Sequence, residues 1–374
     1  MITPRDRLVW FCRPGFEDDL GTEVVRWAGA SVRLHASSGA GWVLLDIPGP
    51  EVARNLVASI RPFTFVFARQ WFRVLGEGAG LPKPGDVIAA LEETARRAGG
   101  TPRARDLVVE APDSEAGRRL WSRCETLSRR LRPELEARGW LSSRHRRAPR
   151  IHVAVVPTGR FWVGVSDPRN SSPWPGGIAR LAVPPGAPSR AARKVEEALH
   201  VLLTEHERQK ALKPGRRVVD LGAAPGGWSW QFARRGLLVT AVDNARLASE
   251  VLETGLVEHV RADGFRFRPD RPVDWMVCDM VKPGERVARL VGLWAARGRA
   301  RWLLFNWKLP GDRRLEAVQR CRAIVEREMG RANKGYALRL RHLYHDRDEV
   351  TGYLAVAERK SAPARKSRRP GRRR

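Results

Sequence analysis

Hydrophobic and polar positions change rhythm halfway along the chain. In the first half, the short apolar segments Leu8–Phe11, Gly41–Ile47 and Phe63–Phe72 alternate with helical patterns. Ile151–Val156 and Phe161–Val165 flank Pro157-Thr158-Gly159-Arg160, turn residues between two apolar runs, which predicts a hairpin. Before that pair, Leu120, Cys124, Leu127 and Leu131 recur at the spacing of one helix face. The mixture predicts an α+β region over residues 1–166. Residues 167–188 then hold six prolines and three glycines, a density that neither a helix nor a central strand tolerates, which predicts a linker.

From residue 189 to 358 strands and helices alternate. A helix is expected from Ser189, read as its N-cap after Pro188, with Val195, Ala198, Leu199 and Leu202 on its buried face. Buried-type strands are expected at Arg217–Leu221, Leu237–Val242, Val257–Arg261, Val273–Cys278 and Trp302–Trp307. Helices are expected at Trp228–Arg235, Ala245–Leu252, Gly284–Arg297 and Arg314–Met329, and two last strands at Ala337–Tyr344 and Thr351–Ala357. Such alternation predicts an α/β, Rossmann-like domain with a mostly parallel sheet. Residues 359–374 carry basic groups and no acid, which predicts a disordered tail.

Charge narrows the class of partner. The 374 residues, enough for two domains, carry 69 Lys+Arg against 41 Asp+Glu, a formal charge of +28. Residues 1–100 are nearly neutral at +1, whereas 118–150 and 360–374 each carry +8. Excess of this size points to a polyanion. Within the first basic segment, Arg118, Arg119, Arg129, Arg130, Arg144, Arg146 and Arg147 are the expected contacts to that polyanion. No apolar run approaches the roughly 18 residues of a membrane span, and the four apolar residues after Arg7 are too few for a signal-peptide core. Cys12, Cys124, Cys278 and Cys321 form no C-x-x-C pair and read as reduced thiols of a cytoplasmic protein. His342 and His345 fall three apart in a strand-like run, on opposite faces, so no metal site is expected.

Asp220-Leu221-Gly222-Ala223-Ala224-Pro225-Gly226-Gly227-Trp228 reads as a strand end, a small-residue turn and a helix start. Glycines there let the backbone approach a ligand, and the acid at the strand end can hold an amine or hydroxyls. The glycines do not follow the G-x-G-x-x-G spacing of dinucleotide folds, and no Gly-Lys-Ser/Thr follows as in a P-loop. Asp243, Asp263 and Asp279 end the next strands, at the edge where open α/β sheets bind ligands.

These motifs, with CRPGFE, PSRAARKVEEA, VCDMVKP, FNWKLP and LYHDRDEVT, resemble the FtsJ-type (RrmJ-like) ribose 2′-O-methyltransferases. More narrowly, from about residue 8 to about 355, the chain is similar to the RlmM family of bacterial 23S rRNA cytidine 2′-O-methyltransferases. The resemblance implies a THUMP-containing RNA-binding region at the amino end and S-adenosylmethionine as cofactor. It implies cofactor contacts from Ser189, Asp220, Gly222, Ala224, Pro225, Gly226, Gly227, Asp243, Asp263 and Asp279. It also implies a Lys-Asp-Lys-Glu tetrad at Lys194, Asp279, Lys308 and Glu349, with Asp346 and Asp348 as rivals for the last place. A guanidinium keeps its proton whereas a lysine can lose one, which makes Lys308 the expected general base of this tetrad. Cys278 lacks the neighbours of a C5-methylating cysteine, and no Asp/Asn-Pro-Pro-aromatic motif suggests base N-methylation. Two other readings stand beside 23S rRNA methylation: the same chemistry on tRNA, and a non-catalytic RNA-binding or ribosome-assembly factor.

Overall fold

The computed structural model describes residues 6–29, 32–97, 99–182 and 186–357. The tail expected over 359–374 lies outside the described residues.

The first sheet contains β1 (Asp6–Phe11), β2 (Arg33–Ala36), β3 (Trp42–Ile47), β4 (Gln70–Ala79), β5 (Asp106–Glu110), β6 (Arg150–Val156) and β7 (Arg160–Ser166). Their order is β2-β3-β1-β4-β7-β6-β5, antiparallel throughout except for β5 beside β6. Helices α1 (Glu17–Ala28), α2 (Pro50–Ser59), α3 (Pro84–Arg97), α4 (Glu115–Arg118) and α5 (Trp121–Ala137) accompany it. The β6–β7 hairpin closes with Val156 opposite Arg160, as the turn residues predict. Cys124, Leu127, Leu131 and Leu135 form the buried stripe of α5.

The run Phe63–Phe72 is a strand only from Gln70 onward. Phe63 has φ +64°, and the following residues form turns that thrust Phe65 and Phe67 into the core. Their apolarity serves burial between the two sheets rather than strand formation. The Pro/Gly-rich stretch packs against the first sheet: Gln70 Nε2 donates to Ser172 O (3.0 Å), Trp71 Nε1 to Asn170 O (2.9 Å), and Gly176 N to Glu110 (2.8 Å).

The second sheet contains β8 (Arg217–Leu221), β9 (Leu238–Val242), β10 (Val257–Val260), β11 (Val273–Cys278), β12 (Ala300–Lys308), β13 (Tyr336–Arg341) and β14 (Glu349–Val356). Its order is β10-β9-β8-β11-β12-β14-β13, parallel up to β12, with β14 antiparallel to both neighbours. Strands covered on both faces need continuous apolar sequence, and Met276, Val277, Leu303 and Leu304 are fully buried. The helices are α6 (Ala191–Leu202), α7 (Glu205–Ala211), α8 (Gly227–Ala233), α9 (Ser249–Leu252), α10 (Gly284–Ala296) and α11 (Arg314–Arg331). Trp275, Trp302, Phe232 and Tyr353 share one cluster. An aromatic ring buries about 200 Å², roughly 5 kcal/mol of transfer free energy at about 25 cal/mol per Å².

Three elements differ from expectation. The helix expected at Ala245–Leu252 is helical only at Ser249–Leu252, because Ala245 N donates to Asp243 and Ala248 N to Pro225 O. The strand expected to reach Tyr344 ends at Arg341, where His342 N turns away to Val66 O of the amino-terminal half. His342 and His345 therefore lie in a loop, not on opposite faces of a strand. Ser189 is no N-cap: that position belongs to Arg190, which makes no side-chain cap.

The two halves interlock through arginines. Arg69, buried, pairs with Asp113 (3.3 Å) and donates to Leu343 O (3.0 Å), while Arg13 donates to Asp346 O (2.7 Å). Arg341 donates to Ala68 O, and Arg314 pairs with Asp19 (2.9 Å).

Candidate active site

The loop after β8 is shaped for a ligand. Gly222 has φ +79° and Gly226 φ +111°, a region that costs any other residue strain. A Cβ on Gly222 would collide with Met280 Cγ, and one on Gly226 would lie 2.6 Å from Val251 Cγ2. Gly227 presses on Ser189, whose hydroxyl is buried with no hydrogen-bond partner. A buried unpaired hydroxyl is costly unless a ligand completes it.

The aspartates expected at the strand ends line this edge. Asp243 ties the turn down, accepting from Ala224 N (3.0 Å) and Ala245 N (2.9 Å). Asp263 is exposed and accepts from Phe265 N (2.8 Å), and the adjoining Gly264 packs near Gly222 and Met280. Asp220 is buried and accepts from Ser229 Oγ (2.7 Å). Burial, with Asp279 and Asp243 nearby, pushes its carboxyl up to about 7.

The tetrad residues converge from α6, the end of β11, the end of β12 and the start of β14. Lys308 Nζ donates to Asp279 Oδ1 (2.9 Å) and pairs with Glu349; Lys194 pairs with Glu349 and lies 3.9 Å from Asp279 Oδ2. The pairing of β12 with β14 sets Lys308 directly opposite Glu349. Asp346 is buried and faces Leu343 N and Thr351, and Asp348 is exposed, so Glu349 is the carboxylate that meets the lysines. Burial works against the Lys308 charge, but Asp279 and Glu349 outweigh it and hold the ammonium above its ordinary range. The two lysines pull the Glu349 carboxyl below its usual range despite its burial.

Sequence reasoning missed several neighbours. Asn306, fully buried, donates to Asp279 Oδ1 (2.9 Å), and Ser229 and Met280 line the turn. A cleft of about 1000 Å³ opens beside the tetrad, lined by Arg13, Arg118, Arg190, Arg193, Lys194 and Lys308 among others. Of the seven arginines expected to contact RNA, Arg118 lines this cleft; Arg119 pairs with Glu115 (2.6 Å) on the surface, and Arg129 and Arg130 are exposed on α5. The side chains of Arg190 and Arg193 are exposed and have no hydrogen-bond or ion-pair partner among the described residues. Cys278 is fully buried and its thiol is pushed up to about 12 by desolvation, which suits a core residue and not a nucleophile.

Sheet order, glycine turn and lysine–carboxylate cluster together define a Rossmann-like methyltransferase, and a family model described as FtsJ-like methyltransferase matches residues 187–296. Two further models cover the first half: the RlmM ferredoxin-like domain at residues 6–72, and Ribosomal RNA large subunit methyltransferase M, N-terminal, at 85–167. The relative named Ribosomal RNA large subunit methyltransferase M from Methylococcus capsulatus is 42% identical over 359 residues, 95% of this chain and 99% of that one. Its counterpart in Thauera aminoaromatica is 39% identical, covering 93% and 96%. The chain belongs to the ribosomal RNA large subunit methyltransferase M family.

Proposed function

We propose that the protein methylates the 2′-hydroxyl of a cytidine ribose in 23S rRNA, using S-adenosylmethionine and Lys308 as general base. The observation that carries this reading is the meeting of Lys194, Asp279, Lys308 and Glu349 beside the glycine turn. Cofactor contacts are assigned to Ser189, with its unpaired hydroxyl, to the Gly222–Gly227 turn, and to Asp220, Asp243, Asp263 and Asp279. Bound there, S-adenosylmethionine supplies an electrophilic methyl group on a sulfonium whose positive charge disfavours a neighbouring ammonium.

The protein's own task is to orient the ribose and take its proton. Asp279 and Glu349 aim the Lys308 amine; once neutral, that amine accepts the 2′-hydroxyl proton as the alkoxide forms. Lys194 stays beside Glu349 and stabilises the developing negative charge. The cleft arginines give the RNA backbone its purchase, with Arg190 and Arg193 from the catalytic side and Arg13 and Arg118 from the other half. Domain boundaries at 1–166, 167–188 and 189–358 accompany this reading, the first region serving RNA recognition. The deciding experiment is transfer of labelled methyl groups to ribosomal RNA, followed by nucleoside digestion and mass spectrometry. The reading expects 2′-O-methylcytidine; products methylated only on the base overturn it.

A further inference from the structure

The β12–β14 pairing places two cross-strand couples on one face: Lys308 opposite Glu349 and, two residues back, Asn306 opposite Thr351. The second couple lies wholly in the interior, with Asn306, Thr351 and Asp346 each fully buried. Asn306 Nδ2 donates to Asp279 Oδ1 at 2.9 Å, the same oxygen that Lys308 Nζ contacts at 2.9 Å. On its other side, Asn306 Oδ1 lies 2.8 Å from Thr351 Oγ1, which lies 3.0 Å from both carboxylate oxygens of Asp346.

Donor counting and the burial of Asp346 together give this chain a direction. An ionised Asp279 only accepts, so the Asn306 amide nitrogen faces it and the amide oxygen faces Thr351. The Thr351 hydroxyl has one proton for two possible acceptors, and the Asn306 amide oxygen, which has no hydrogen to offer in return, is the nearer at 2.8 Å. Asp346 must then donate to Thr351, which requires its neutral form. Its surroundings favour that form: Asp346 is fully buried, and Glu349 and Glu197 disfavour a further negative charge while Lys194 opposes them. Together these push its carboxyl up to about 8, with Arg13 engaged at its backbone carbonyl and not its side chain. Its Oδ2 accepts from Leu343 N (2.9 Å) and Thr351 N (3.2 Å), which leaves Oδ1 to carry the proton.

We propose that Asn306 is a positioning residue of the methyl-transfer site, locked by a one-way hydrogen-bond chain from Asp346 through Thr351, and that it sets the charge on the Asp279 oxygen that holds Lys308. The Asn306 donation draws charge from Oδ1, so Lys308 gives up its proton more readily than it would beside an unshared carboxylate. It also orients Asp279, leaving Oδ2 toward Lys194. This inference rests on the ribose-methylation reading.

The test is Thr351→Val, which keeps the shape and removes the hydroxyl, compared with Thr351→Ser, which restores it. With wild-type enzyme methylating 23S rRNA in parallel, Thr351→Val is expected to lower kcat about tenfold near neutral pH while KM for RNA and cofactor stays within twofold. The rising limb of its kcat profile, set by loss of the Lys308 proton, moves to higher pH, and Thr351→Ser returns both. NMR titration of lysine side-chain signals in the full chain, which has nine lysines, reads the Lys308 shift without turnover. Should Thr351→Val fail to fold, Thr351→Ala makes the same comparison. An unchanged kcat and unchanged Lys308 titration in a folded variant overturn the proposal, as does a loss confined to KM. A wild-type enzyme that makes no ribose-methylated product instead overturns the underlying functional reading.

Discussion

Lys308 and Glu349 stand directly opposite each other across the antiparallel pairing of β12 and β14, although 41 positions separate them in sequence. Cross-strand pairs of this kind are held by the sheet itself and not by flexible loops. The amine is therefore aimed before any substrate arrives. Lys308→Ala is expected to cut methyl transfer by about 10²–10⁴, the usual worth of a general base, with RNA affinity within twofold by filter binding. Lys308→Arg should be as inactive, because a guanidinium keeps its proton.

The pH dependence follows from the direction of the Lys308 shift. Its carboxylate neighbours raise it above the ordinary lysine range, so at neutral pH the free enzyme holds the ammonium form. The active form is the neutral amine, so kcat/KM should climb about tenfold per pH unit on the acid side of that value. Stability carries the opposite sign: a raised lysine stabilises the fold below its unfolded value and loses that contribution as pH rises through the folded one. Activity and melting temperature measured together above pH 9 should diverge; a flat rate profile between pH 7 and 9 contradicts the assignment.

Asp220 offers a separable pair of effects. Its folded-state value of about 7 lies above that of an unfolded aspartate, so the fold binds this proton more tightly than the open chain. The stability it lends in acid is lost as pH rises from the unfolded value through about 7. Asp220→Asn imitates the neutral form and should raise the melting temperature at pH 8 by a few degrees, at roughly 2–4 °C per kcal/mol. Calorimetry with S-adenosylmethionine should show weaker binding in the same variant.

Gly222→Ala adds a methyl group at a positive φ and against Met280. Strain of about 1–3 kcal/mol will move the turn, and cofactor affinity should fall at least tenfold with the far sheet unaffected by hydrogen exchange.

Arg190→Gln with Arg193→Gln removes two unpaired cations from the cleft beside Lys194. RNA binding should weaken and the slope of log affinity against log salt should flatten by about 1.4–1.8, two phosphates' worth. Neutralising Arg129 and Arg130 on α5 should change that slope less.

Much of the second sheet was legible because both of its faces are covered, which writes strands such as Arg217–Leu221 and Val273–Cys278 as apolar runs ending in acids. The lysines stood out against arginine-rich surroundings, and their motifs placed them. Asn306 and Thr351 were not legible, since their roles depend on the register of two strands far apart in sequence; the trace left is that each lies two residues from a tetrad member on the same strand. The Phe63–Phe72 run misled because apolarity reports burial, not the element that is buried. The basic segment says less: charge density names a partner class, whereas only the folded chain shows that Arg118 reaches the cleft and that Arg190 and Arg193 share it.

The contacts of Arg13 and Arg69 bear on how such enzymes can be rearranged. Both arginines come from the first half of the chain, and they grip Leu343, Tyr344 and Asp346, the backbone that leads into Glu349. The first half of the chain is thus part of the wall of the cleft beside Lys308 and Glu349. It is not a detachable cassette: grafting a foreign recognition module onto residues 189–358 would leave the approach to Glu349 without its buttress, whatever RNA the new module brought.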